Sequence, residues 1–129
     1  MASYEEVSEA VRSAIAAYAH ALDDGRVDDV VAMFCSDGSV DMPVIGNADG
    51  IDALRAMYAN LKPRVPQRHA VTNTVITEWN DLKASAVSDL VFLVKGDAGW
   101  SVQMVGRYAD TLHCHGGIWR FYRRVLTAE

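Results

Sequence analysis

The sequence predicts an α+β domain: a curved antiparallel sheet covered on one face by three N-terminal helices around a central pocket. Three observations carry that prediction. Apolar residues recur at helical spacing through the first sixty positions, and from His69 onward the pattern changes to period two. Turn residues at Asn80-Asp81, Lys95 to Gly99 and Gly116-Gly117 then cut the second half into four runs. Helices first and a meander after them is the order of an α+β fold. A strongly bent sheet closed on one side by helices makes a cone, and the mouth of a cone is a natural pocket. The 129 residues suit one domain, 1–129, with a single core, one site and no separate cofactor domain.

The elements follow in order. Ser3-Tyr4-Glu5-Glu6 has the spacing of a capping box, so a helix begins there. Val7, Val11, Ala14, Ile15, Tyr18 and Leu22 form one apolar stripe, which Gly25 can end in a left-handed conformation. Asp23 falls about 80° round the helix from Ile15 and flanks the stripe at the last turn. The helix dipole disfavours a carboxylate at that end, so Asp23 needs another reason to be there. Val27, Val30, Val31 and Phe34 predict a second short helix, and Ser36-Asp37-Gly38 a turn out of it. Ser39 to Val44 reads as a short strand before a loop at Gly46 to Gly50. Ile51, Leu54, Tyr58 and Leu61 mark a third helix, stopped by Lys62-Pro63. Four antiparallel strands are expected at 68–79, 83–94, 100–114 and 118–126.

Composition narrows the function. Half of the residues are hydrophobic and 22% are charged, as in a soluble globular protein. No apolar run approaches a membrane span, and Met1 to Glu6 lacks the regions of a signal peptide, so a cytoplasmic location without membrane partners is expected. The net charge of −5 argues against nucleic-acid binding. Arg120, Arg123 and Arg124 are the one dense basic group; on a strand they split between faces and read as solvated edges and surface ion pairs. Cys35 and Cys114 are in no metal or redox spacing and read as reduced apolar residues. His113-Cys114-His115 projects two histidines together, but with no obvious third ligand a metal is not expected.

The strongest chemical signal is Arg68-His69-Ala70-Val71-Thr72-Asn73. An even spacing puts His69, Val71, Asn73, Val75, Thr77 and Trp79 on one strand face, a polar and apolar mixture such as lines a ligand pocket. In the next strand but one, Trp100, Val102, Met104, Gly106, Tyr108, Asp110 and Leu112 form the apolar alternate set. Asp110 is its odd member: it is paired, protonated through desolvation, or at a wet rim. Each signal has a plainer alternative. His69 and Tyr18 could be hydrogen-bonded core residues, and Asp23-Asp24 a polar helix end. Phe34, Met57, Trp79, Trp100 and Met104 are expected to shape the pocket, with Asp110 and Asn73 as its secondary polar groups.

Tyr18-x-x-x-Leu22-Asp23-x-Gly25, Met33-Phe34 with Asp37, Gly50 before the third helix, Arg68-His69-x-x-x-Asn73, Gly106-Arg107-Tyr108-x-Asp110 and Gly117-x-Trp119-Arg120-Phe121 together resemble the SnoaL-like branch of the NTF2-like superfamily, over nearly the whole chain. The resemblance implies the cone. It is similar in active-site pattern to the scytalone dehydratase and hexachlorocyclohexane dehydrochlorinase types, where an aspartate after the first helix holds a proton-abstracting histidine. That implies His69 as general base, Asp23 as its orienting partner and Tyr18 as a polarising donor. Tyr18 and Asp110 also match the oxyanion-hole tyrosine and protonated aspartate of the ketosteroid isomerase type, whose base would fall on Met42. A small apolar cyclic or carbonyl substrate and no cofactor are implied. The alternatives are a non-catalytic module binding an apolar small molecule, or a β-subunit-like partner of a ring-hydroxylating oxygenase. Val87, Val91, Leu93 and Val105 on the outer sheet face predict a homodimer or homotrimer.

Overall fold

A computed structural model describes residues 1–129. The helices are α1 (Tyr4–Asp23), α2 (Val27–Ala32) and α3 (Ile51–Asn60), and the strands β1 (Phe34–Met42), β2 (Gly46–Asp49), β3 (Gln67–Trp79), β4 (Lys83–Gly96), β5 (Gly99–His115) and β6 (Ile118–Ala128). Ser3 caps α1 by accepting from the Glu6 amide at 3.2 Å, and its hydroxyl donates to the Glu6 carboxylate. Gly25, at φ +71°, takes the left-handed conformation that turns the chain out of α1.

The six strands form one open, curved sheet in the order β2-β1-β6-β5-β4-β3. The expected four-strand meander is present as β3 to β6, all antiparallel, and β1 joins it in parallel alongside β6. Val7, Val11, Ile15 and Leu22 of α1 share one core with Ala84, Ala86, Leu90 and Leu112 of the sheet. Burying each large aliphatic side chain contributes about 1.5–3 kcal/mol. At Gly106 a Cβ would stand 2.7 Å from the Thr127 carbonyl oxygen, so only glycine fits where β5 passes β6. No helix is long and apolar enough to cross a membrane.

Two local expectations need correction. Phe34 opens β1 instead of closing α2, because it pairs across to Phe121 and joins an aromatic cluster with Tyr18 and Tyr58. The stretch Ser36 to Gly38 is accordingly an irregularity inside β1, where the register with β6 shifts between Phe34 and Ser39. Gly46 to Asp49 is not a loop but the short edge strand β2, paired with Ser39–Met42.

Register shifts decide which face a sheet residue takes, and two of them bear on the expected pocket residues. In β3, Thr72 opposes Asp89 but Val75 opposes Val87, so one extra residue is accommodated at Asn73, whose φ is +55°. In β5, Met104 opposes Phe92 but Val102 opposes Leu93, so Gln103 is extra. Beyond each bulge the inward and outward sets exchange.

Candidate active site

The last residue of α1 and the start of β3 bring Asp23 and His69 together. Asp23 Oδ1 lies 2.6 Å from His69 Nδ1, and Asp23 Oδ2 accepts from the His69 backbone amide at 2.7 Å. Gln67, two residues earlier on the same strand face, donates its amide to Asp23 Oδ1 at 3.1 Å. Three donors converging on one carboxylate are the reason for an aspartate at an otherwise unfavourable helix end. Burial raises the Asp23 pKa, but the bonds from His69 and Gln67 outweigh it and leave the carboxyl below its ordinary value. Asp23 is therefore ionised at neutral pH and can only accept. The proton of the neutral His69 ring must then sit on Nδ1, which leaves Nε2 with its lone pair free.

His69 lines a cavity of about 600 Å³, within the range of small-molecule sites. Leu22, Met42, Phe92, Met104, Tyr108 and Leu126 supply apolar wall, while Gln67 and Gln103 add amides. The β1–β2 turn at Pro43–Ile45 and the chain from Asn60 to Arg64 frame its mouth. The His69 ring packs on Phe92, centroids 4.5 Å apart, which fixes its plane. Met42 is on the cavity wall, and no carboxylate lines the cavity.

Several residues expected at the pocket lie elsewhere. Tyr18 is fully buried: its hydroxyl bonds that of Tyr58 at 2.6 Å and its ring packs on Phe34 and Phe121, so it does not line the cavity. Asn73, turned by the β3 bulge, donates to Asp89, which also accepts from Arg107 on the outer face. Trp100 is on the outer face as well, under the Arg68 guanidinium, because the Gln103 bulge inverts the alternation of β5. Trp79 packs edge-on against Tyr4 at the far end of α1, 43% exposed. Phe34 and Met57 belong to the core and stay outside the cavity. Met104 does line it, and so does Tyr108.

Asp110 is not at the cavity wall either. Its carboxylate and the Arg124 guanidinium are both fully buried, with Nε 3.0 Å from Oδ1. No atom of either group has a hydrogen bond of good geometry, so charge and the surrounding rings hold the pair. Arg124 is stacked 3.4 Å from the Tyr108 centroid, 4.3 Å from Tyr18 and 4.8 Å from Phe121. Burial raises the Asp110 pKa and the Arg124 guanidinium opposes that rise, leaving it at about 6. The expectation of solvated arginines therefore fails for Arg124. One signal could have found it: Arg124 shares an alternate set with Leu126, and Asp110 was already conspicuous on an apolar face.

Comparison with known proteins supports the same architecture. The sequence profile of the SnoaL-like domain matches residues 5–125. Three solved structures from Novosphingobium aromaticivorans superpose closely. A protein whose name proposes a scytalone dehydratase is 22% identical, with TM-score 0.83 over 95% of this chain and 83% of its own. The β subunit of a proposed aromatic-ring-hydroxylating dioxygenase is 22% identical, with TM-score 0.85 over 98% and 92%. An NTF2-like protein with a cystatin-like fold is 20% identical, with TM-score 0.82 over 94% and 80%. No curated protein matches the chain in sequence.

Proposed function

The chain belongs to the SnoaL-like domain family, and on that premise we propose that it is a cofactor-independent lyase of the dehydratase type, or an isomerase, acting on a small, largely apolar cyclic or carbonyl compound. The observation that carries this proposal is the His69–Asp23 contact of 2.6 Å on the wall of an apolar cavity. His69 Nε2 takes a proton from a substrate carbon, and Asp23 stabilises the imidazolium that results. The released electron pair either expels a leaving group from the neighbouring carbon or moves a double bond. Tyr108 takes the donor role assigned from sequence to Tyr18, because burial keeps its phenol protonated where charge develops on a substrate oxygen. Proton abstraction of this kind asks for a base and a donor and for nothing further.

A turnover screen of hydroxylated and halogenated cyclic compounds tests the proposal, with His69→Ala alongside. Turnover that disappears in a folded His69→Ala protein supports it; full activity in that variant refutes it. The likeness to a dioxygenase β subunit favours a second possibility, a non-catalytic partner of an oxygenase. Stable co-purification with a large iron-containing subunit, together with no turnover, would select it.

A further inference from the structure

A second cleft, of about 500 Å³, opens at the other end of the sheet from His69, between α2, the start of β1 and the β5–β6 turn. Cys35 and His115 line it, and His113 stands beside them. Cys35 comes from β1, and His113 and His115 are alternate residues of β5 that project from the same face. One ligand atom from each lies within 4.8 Å of the other two. Sequence spacing could not reveal this, because the cysteine is far from the histidines and β6 lies between their strands.

We propose that Cys35, His113 and His115 form a zinc-binding site. One sulfur and two imidazole nitrogens are a donor set that suits Zn²⁺ and offers nothing to Mg²⁺ or Ca²⁺, which take oxygen ligands. Tetrahedral zinc holds its ligands roughly 3.3–3.8 Å apart, so the three atoms need to close by about an ångström. The member with room to move is His115, which is exposed. His113 is fixed by stacking on Tyr122, centroids 4.2 Å apart, and Cys35 is 4% exposed with its Sγ 3.7 Å from the Arg120 carbonyl oxygen. Water can take the fourth position, and Asp37 lines the same cleft. Arg55 and Arg120 also line it, and Arg55 is engaged by Asp28. On binding, the Cys35 thiol loses its proton to solvent as the Sγ–Zn bond forms. The ion would tie the start of β1 to the end of β5 across β6, where the β1–β6 register is irregular. This site is separate from His69 and does not rest on the catalytic proposal.

The test is titration of the metal-stripped full chain with Zn²⁺ by calorimetry and with Co²⁺ by absorption. The expected result is one ion per chain, a thiolate-to-cobalt charge-transfer band, and a Tm that rises with free Zn²⁺ by mass action. Cys35→Ser should abolish the band while Cys114→Ser retains it, and His69→Ala should bind like the wild type. His115→Ala, at an exposed position that does not threaten the fold, should weaken Zn²⁺ binding about tenfold or more. No charge-transfer band in the wild type, or Zn²⁺ binding unchanged in His115→Ala, overturns the proposal.

Discussion

Replacing Asp23 by asparagine removes a charge with almost no change of shape, and the contacts of Asp23 allow the consequence to be worked out. With its oxygen in the place of Oδ2, the new amide still accepts from the His69 backbone N–H, now 2.7 Å away. Its NH₂ then faces His69 Nδ1 and Gln67 Nε2, both of which donate to Oδ1 in the wild type. Gln67 can answer by turning its amide over. His69 can answer only by moving its proton from Nδ1 to Nε2, so that Nδ1 accepts. The number of hydrogen bonds is nearly conserved, and the stability cost is about 1 kcal/mol, the net worth of one bond. On the proposed mechanism the chemical cost is far larger, because Nε2 becomes a donor and can no longer take the substrate proton. That amounts to roughly 10²–10⁴ in rate, or about 3–5 kcal/mol of barrier. Imidazole ¹⁵N shifts read the tautomer without any substrate: Nδ1–H is expected in the wild type and Nε2–H in Asp23→Asn, with turnover falling in step. A wild-type ring protonated at Nε2, or one whose tautomer does not respond to the substitution, would refute the reasoning.

Three further outcomes are expected. Arg124→Met leaves Asp110 buried without its counter-charge and should cost about 3–5 kcal/mol in chemical denaturation; adding Asp110→Leu should recover most of that loss, and a double variant no more stable than the single one would contradict the buried pair. Asp23 and Asp110 should give opposite pH slopes. The Asp23 pKa is lowered by folding, so its contribution is present above the unfolded value of about 3.9 and disappears as the pH falls through the folded one; the stability gap between wild type and Asp23→Asn should close on acidification. The Asp110 pKa is raised to about 6, so its contribution is complete below about 3.9 and is lost as the pH rises through 6, which denaturation of Asp110→Asn across that window can check. Finally, Val75, Val102 and Val105 are 54%, 59% and 41% exposed on the outer sheet face. Sedimentation should show a dimer or trimer that Val105→Lys dissociates, and a wild-type monomer would exclude that interface.

Local pattern in the chain was enough for the helices, the four meander strands and the open, helix-covered sheet, because the 3.6 and 2.0 periodicities arise within a segment and need no partner. It was also enough to single out Asp23 and His69, the one as a carboxylate misplaced on a helix dipole and the other as a polar member of a strand face. Periodicity fails where pairing intervenes. The bulges at Asn73 and Gln103 each add one residue to a strand, and one residue is enough to send Asn73 and Trp100 to the opposite face. Tertiary packing alone put Asp110 against Arg124 inside a ring of aromatics, and Cys35 beside two histidines from a strand that does not pair with its own. Whether a side chain is paired depends on what the fold carries to it from elsewhere in the chain, and no local pattern encodes that.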